Sequence, residues 1–306
     1  MHWKYHHLEK WGMDFHGLLL LVNFGWQIII FPANGPSINE VKKYINKYLG
    51  EIIVIKCGGS VLLDKNLFKQ FIEDISVIFK LGLSSIVVHG GGKNIKKKLD
   101  NLNIKSKFID GLRVTDERTI KIVEKALLEL NTEIINDLSN LQANAQSVTP
   151  QKNNVIKIKP EGQELGYVGS PKEINSNTLL KIIDEKKIPI MVPMGVGDDN
   201  KIYNINADIA AGSVAKELNS RRLLLMTDVE GVLDKNKNLI SEINSAVAEK
   251  MLKDGNISGG MIPKINTCLD AVNNGVTGVV IVDGRKPHSI LFELFSDKGA
   301  GTLIRK

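Results

Sequence analysis

Ile52-Ile53-Val54-Ile55-Lys56-Cys57-Gly58-Gly59-Ser60 places four β-branched residues directly before a lysine and a pair of glycines. A short continuous apolar run bounded by turn residues fits a strand buried on both faces. The pattern returns in Ile86-Val87-Val88-His89-Gly90-Gly91-Gly92, and the spacing between the two predicts a helix over about 66–80. Strand, helix and strand in that order form the unit of a parallel sheet. Four further strand-like runs follow: 188–192, 223–226, 276–282 and 302–304. Upstream, Ser37-x-x-Glu40 reads as a capping box opening a helix that carries Ile38, Val41, Ile45 and Tyr48 and stops at Gly50. Between the strands, Ile120, Val123, Leu127, Leu130, Ile134, Leu138 and Leu141 recur in steps of three and four, one stripe on a long helix over 119–141. That stripe is either core or a subunit contact. No internal repeat interrupts the alternation, so the expected fold class is α/β, an open, mainly parallel central sheet sandwiched between helices.

The strands share a habit at their C-terminal ends. Lys56-Cys57-Gly58-Gly59, His89-Gly90-Gly91-Gly92, Gly195-Val196-Gly197, Thr227-Asp228 and Asp283-Gly284-Arg285 each follow a predicted strand. Ligands of open parallel sheets bind at that edge, where loop amides and helix N-termini converge. Glycines let backbone N–H groups approach an anion closely, and phosphate is the obvious client. The chain contains no G-x-x-x-x-G-K-[ST], and no G-x-G-x-x-G follows its first strand, so neither a P-loop nor a dinucleotide fingerprint is present. Lys56 instead puts an ammonium where the amides converge, which suits a phosphoryl group in transfer; taken singly, it reads equally well as a solvated strand terminus.

Composition bounds the partners. The 306 residues are 43% hydrophobic and 6% aromatic, enough for a large aliphatic core without disulfides or structural metals. Cys57 and Cys268 have no metal-ligand spacing, and a reduced, cytoplasmic protein with no metal site is expected. The formal charge of +6 comes mostly from lysines scattered among acids, with one dense run at Lys96, Lys97 and Lys98. Base readout favours arginine forks, and arginines are few, so anionic metabolites are the expected partners, with no nucleic acid and no membrane.

Residues 1–36 differ from the rest. All three tryptophans (Trp3, Trp11, Trp26) lie there, with His2, His6, His7 and His16, and no Ser, Thr or Arg precedes Ser37. That composition argues against a transit peptide. The apolar run over 18–31 is broken by Asn23, Gly25, Trp26 and Gln27 and falls short of the roughly 20 residues of a membrane span. The stretch reads as a disordered extension or an overcalled start, with a histidine metal site as the sharper alternative.

Four strings carry a specific resemblance. Tyr203-Asn204-Ile205-Asn206-Ala207-Asp208, Gly111-Leu112-Arg113-Val114-Thr115-Asp116, Gly259-Gly260-Met261-Ile262-Pro263-Lys264 and Asp283-Gly284-Arg285 with Pro287-His288 resemble, in order, motifs of the acetylglutamate kinases, members of the amino-acid kinase family with its carbamate kinase-like fold. The resemblance runs from about residue 38 to the C-terminus. It implies ATP-dependent phosphorylation of the side-chain carboxylate of N-acetyl-L-glutamate, a step of arginine biosynthesis. It also implies an N-terminal helix at 37–49, an N-lobe at 50–205 for the acyl-amino acid and dimerisation, and a C-lobe at 206–306 for ATP.

Carried over residue by residue, Lys56 and Lys264 would flank the transferring phosphoryl group and Asp208 would orient them. Gly91, Gly92, Arg113 and Asn204 would hold the substrate, Arg113 by its α-carboxylate. Gly58, Gly59, Thr227, Asp228 and Gly231 would approach the nucleotide, and Mg²⁺ would arrive with ATP, held mostly by phosphates and water. In arginine-inhibited members the N-terminal helix and the C-terminal region form the effector site and tie dimers into a hexamer. The resemblance therefore implies a homodimer or homohexamer and an arginine site at His288, Glu293, Gly299 and Gly301. His89 reads as structural.

Two departures stand out. Val148-Thr149-Pro150-Gln151-Lys152-Asn153-Asn154 replaces a glycine-rich stretch that could shape a substrate lid, and Cys57 replaces a tyrosine or aliphatic residue. The alternatives are a kinase of the same fold acting on aspartate, glutamate, carbamate or uridine monophosphate, and a non-catalytic arginine-sensing protein. Against an unrelated nicotinamide-dependent oxidoreductase stands the lack of its glycine fingerprint in this chain.

Overall fold

The computed structural model describes residues 20–21 and 28–306. Eight strands form the central sheet: β1 (Ile52–Cys57), β2 (Ser84–His89), β3 (Ala145–Val148), β4 (Ile188–Met191), β5 (Arg222–Thr227), β6 (Glu242–Asn244), β7 (Val279–Asp283) and β8 (Gly301–Arg305). Their spatial order is β6-β8-β7-β5-β1-β2-β4-β3. Every pairing from β7 to β3 is parallel; β8 runs antiparallel to β7, with β6 parallel to β8. The expected open, mainly parallel sheet is what forms.

Alternation sorts the side chains of β1 between two cores. Ile53 and Ile55 enter one core, joined by Leu224, Met226, Val280 and Val282. Val54 enters the other with Leu223, Leu225, Val279 and Ile281. Burial on both faces explains why these strands read as unbroken apolar runs. The first core is closed by α1 (Ile38–Tyr44), α2 (Lys65–Lys80), α4 (Glu117–Asn140) and α9 (Ser289–Phe295). The second lies under α5 (Ser176–Asp184), α6 (Ala207–Glu217), α7 (Ser245–Lys253) and α8 (Met261–Asn273). A third, smaller cluster joins α3 (Gly92–Asn101) to α4. The stripe on α4 is core: Ile120, Val123, Leu127, Leu130, Ile134 and Leu138 are all buried.

The capping box is formed, with Ser37 N–H donating to Glu40 at 2.9 Å and Glu40 N–H to Ser37 Oγ at 3.4 Å. The helix it opens is shorter than its apolar spacing suggests, since a 3₁₀ turn over Ile45–Lys47 follows Tyr44. That turn drops Tyr48 into the core, edge-on to Phe295 at 6.3 Å. Most of the stretch expected to be disordered, with its tryptophans and histidines, lies outside the described residues. Its described part pairs Leu20–Leu21 with Ile28–Ile29, and Ile29 and Phe31 are buried in the first core.

One strand-end reading is corrected. Gly195-Val196-Gly197 follows β4 of the central sheet as read, but it is not a loop: it lies within a strand, Met194–Gly197, of a separate four-stranded sheet. A Cβ on Gly195 would sit 2.4 Å from Ile156 O, so close strand packing explains this glycine. The expected lobe boundary at 205/206 falls between the strand Ile202–Asn204 and α6. The sheet crosses it without a break, because β1 pairs with both β2 and β5.

Candidate active site

At the C-terminal ends of β1 and β2 a cleft of about 400 Å³ opens, lined by the loops that follow these strands, the start of α3, the segment that carries Arg113 and the start of α6. Its centre is built from three elements. Lys56 is the penultimate residue of β1. Asn206 caps α6 by accepting from the amides of Asp208 (2.9 Å) and Ile209 (3.4 Å), which places Asp208 in the first turn, where the helix dipole favours a carboxylate. Gly259, with φ of 56°, turns the chain into α8, whose first turn accepts Pro263 and carries Lys264.

Two ammoniums meet one carboxylate here. Lys56 Nζ lies 3.0 Å from Asp208 Oδ1 and Lys264 Nζ 2.5 Å from Asp208 Oδ2. All three side chains are largely buried, at 12%, 11% and 17% exposure. Burial alone would push the Asp208 carboxyl upward, but the charges of Lys56 and Lys264 overcome it and hold the group well below the usual carboxylate range.

Glycines surround this triangle for distinct reasons. A Cβ on Gly58 would fall 2.6 Å from the Lys56 ammonium, and one on Gly59, at φ of 65°, would fall 2.5 Å from Asp228 Oδ1. Gly91 backs onto Leu127 of α4, where a Cβ would come within 2.6 Å of its methyl, whereas Gly92 faces open space. Gly91 is the N-cap of α3 and offers no side-chain acceptor to that helix's first amides. Behind the loop, His89 is fully buried and contacts Gly90 O through Nδ1 at 3.1 Å and Asn131 Nδ2 through Nε2 at 3.1 Å. Asn131 also donates to Ile190 O and accepts from Ser147. Burial lowers the imidazole to about 4, so it stays neutral, and its role is structural as expected.

The outer wall carries Arg113. Phe108–Ile109 pairs with Leu112–Arg113 around Asp110 (φ 49°) and Gly111 (φ 81°), a two-residue hairpin turn in which both residues are left-handed. The guanidinium stacks on Phe108 at 4.7 Å and donates to Gly92 O at 3.2 Å and to Ser106. Asn204 lines the same wall, with Val168 and Pro193.

The remaining expected residues separate. Thr227 ends β5, and its carbonyl accepts from Gly284 N–H at 2.9 Å. Asp228 accepts from Ser60 N–H at 2.8 Å and lies 3.1 Å from Lys93 Nζ, at the edge of the cleft. Gly231 is set back: at φ of 145° it packs on β8, where a Cβ would fall 2.5 Å from Thr302 Oγ1. No residue of the atypical loop 148–154 is among those lining the cleft.

Glu293, Gly299 and Gly301 line a second cavity of about 270 Å³ with Tyr44, Lys47 and Tyr48. Burial raises the Glu293 carboxyl, and one of its oxygens accepts from Ala300 N–H at 2.8 Å. His288, grouped with them in the sequence reading, is not there. It is buried, and its Nδ1 lies 2.6 Å from Asp74 Oδ1 of α2. Residues missed by sequence reasoning include Lys93, Phe108 and Pro193; only the Asp110-Gly111 pair, a strong hairpin signal, pointed to any of them.

Residues 51–283 match the family model described as the amino acid kinase family. The chain is 56% identical over 279 residues to an acetylglutamate kinase of Pelagibacter ubique, covering 91% of this chain and 97% of that one. An acetylglutamate kinase of Rhodospirillum centenum is 42% identical over 286 residues, covering 89% and 94%. Among solved structures, N-acetylglutamate synthase from Neisseria gonorrhoeae, complexed with coenzyme A and N-acetyl-glutamate, superposes with a TM-score of 0.81 at 23% identity, covering 89% of this chain and 64% of that longer one. Carbamate kinase from Giardia lamblia bound to AMP-PNP gives 0.65 at 19% identity, covering 84% and 98%. At such identities both inform the fold alone.

Proposed function

The chain belongs to the amino acid kinase family and, within it, to the acetylglutamate kinases, and we propose that its Lys56–Asp208–Lys264 triangle is the centre of phosphoryl transfer. The reaction is the ATP-dependent phosphorylation of the side-chain carboxylate of N-acetyl-L-glutamate, giving N-acetylglutamyl 5-phosphate and ADP. A carboxylate oxygen attacks the γ-phosphorus while the bond to the bridging oxygen breaks and its electron pair leaves with ADP. The observation that carries the residue roles is the pair of buried ammoniums on one carboxylate in a glycine-lined cleft.

In this reading Lys56 and Lys264 neutralise charge on the equatorial and leaving oxygens. Asp208 aims both ammoniums and acts as no base, since the attacking carboxylate has no proton to give up. The amides at Gly58, Gly59, Gly91 and Gly92 position the phosphate and the substrate. Arg113, preoriented on Phe108, takes the α-carboxylate with its planar fork, and Asn204 bonds the acetamido or carboxylate group. The donors lining the cleft are ammoniums, the Arg113 guanidinium, asparagine amides and glycine N–H groups, and its carboxylate already serves two lysines. That set fits Mg²⁺ carried by the nucleotide's phosphates and water rather than by a protein cage.

Regulation and setting complete the proposal. The cavity between α1 and α9 is the arginine site, with the half-buried Glu293 as its anionic partner and without His288. The enzyme works in the cytoplasm as a homodimer or homohexamer; among the described residues no helix is long and apolar enough to cross a membrane. The test is ADP release with N-acetylglutamate set against aspartate, glutamate, carbamate and uridine monophosphate, with hydroxylamine trapping of the acyl phosphate. Turnover confined to N-acetylglutamate is expected; preference for another acceptor overturns the substrate assignment. Millimolar arginine that leaves rate and assembly untouched removes the effector site.

A further inference from the structure

Lys93 occupies the first turn of α3, where the helix dipole disfavours a cation. Gly91 leaves that turn without a side-chain cap, so its amides and the Lys93 ammonium meet at the same edge of the cleft. Packing against Leu127 accounts for the glycine at 91 but not for the lysine that follows in the same turn. The Lys93 side chain is 47% exposed, and its ammonium lies 3.1 Å from Asp228 Oδ2 and 2.9 Å from Ser60 Oγ. An ion pair as open as this one adds little to stability.

The partners give the ammonium a direction. Ser60 belongs to the turn after β1 and Asp228 to the loop after β5, the two segments assigned above to the nucleotide. Arg113 donates to Gly92 O at 3.2 Å. Two cations therefore flank one glycine, Arg113 toward the acyl-amino acid and Lys93 toward the nucleotide. Asp228 is already engaged through Oδ1 by Ser60 N–H, which fixes the carboxylate and leaves Lys93 the movable member of the cluster.

We propose that Lys93 is a further nucleotide-binding residue, whose ammonium leaves Asp228 and Ser60 to contact the polyphosphate of ATP, joining the uncapped amides of α3. The proposal rests on the kinase reading and goes beyond it, since it assigns a third cation to the phosphates and makes it a determinant of nucleotide affinity. A charge-assisted bond to phosphate outweighs an exposed pair to carboxylate, so the exchange is favourable once nucleotide enters.

Lys93→Met in the full chain is expected to raise KM for ATP about tenfold, to weaken inhibition by ADP by the same factor, and to leave KM for N-acetylglutamate within about twofold. Lys93→Arg, which keeps the charge, restores most of the ATP affinity, and the gap between wild type and Lys93→Met narrows with added salt. A strut without phosphate contact would give neither charge-specific rescue nor that salt dependence. An unchanged KM for ATP, or a rise confined to N-acetylglutamate, overturns the assignment. If wild type did not turn over this substrate pair, the kinase reading would fall separately, and calorimetric titration of wild type and Lys93→Met with ADP would still decide Lys93.

Discussion

Asp208, largely buried, and Asp74, fully buried, each meet a cation at 2.6 Å or less on one oxygen, yet their titrations move in opposite directions. Asp208 has a second ammonium at 3.0 Å and is held ionised. Asp74 has one partner, His288, and burial pushes its carboxyl up to about 6 despite that bond. The difference lies in the number of cations, because one partner cannot offset the desolvation that two overcome. The lysine triangle is left with one positive charge in excess, ready for an anion. The Asp74–His288 pair balances itself and ties α2 to the N-terminus of α9. One cluster is poised for a ligand; the other is a clamp.

The sharpest way to break this contrast is to take a cation from the triangle. Lys56→Met and Lys264→Met are each expected to lower kcat by about two to four orders of magnitude in protein that remains folded. Near-normal turnover in either variant removes that lysine from the mechanism. The clamp should respond in the other currency. Asp74→Ala leaves His288 without its partner in a buried site and is expected to lower unfolding free energy by about 3 kcal/mol. Denaturant titration reads that loss, and kcat per folded molecule should match wild type. A smaller effect separates the two clusters further: Asp208→Asn raises the excess charge of the triangle, so ADP should bind at least as tightly as to wild type even as turnover falls. Weakened ADP binding would show that Asp208 holds the site's shape more than it tempers its charge.

The halves of this comparison were unequally legible in the sequence. Lys56, Asp208 and Lys264 each sit beside a structural marker: a strand end with two glycines, an Asn cap, and a glycine pair before a helix. Those markers fix local backbone, and local backbone aims the side chain. Asp74 carries no such mark, being one acid on an amphipathic helix, and its partner lies 214 residues away. Residue order groups His288 with Glu293, Gly299 and Gly301, which it precedes in the chain. Its φ of 50° and its burial against α2 turn it out of their cavity, and neither is visible in residue order. Gly195 and Gly197 misled for a related reason: glycine demanded by a neighbouring strand is indistinguishable in sequence from glycine demanded by a ligand.

The smallest effect isolates the clamp by pH. Burial and neighbouring Glu73 raise Asp74, while the His288 bond pulls it back only in part. Burial lowers His288, but the bond and the charge of Asp74 outweigh it, with Glu73 adding to the rise, so the imidazole also titrates above its ordinary range. Both groups thus hold protons more firmly folded than unfolded, and both contributions fade as pH rises: that of Asp74 between the ordinary carboxylate range and about 6, and that of His288 above the ordinary imidazole range. One proton sets a ceiling of about 1.4 kcal/mol per pH unit on either slope. Asp208 adds nothing over this interval, because its depressed carboxyl contributes stability that is complete above the ordinary carboxylate range and is lost only in strong acid. Denaturant unfolding of wild type between about pH 5 and pH 8 should therefore lose stability more steeply than the double variant Asp74→Asn/His288→Gln. Parallel profiles would mean that the two side chains do not share a proton-dependent bond, and the contrast with the lysine triangle would lose its second half.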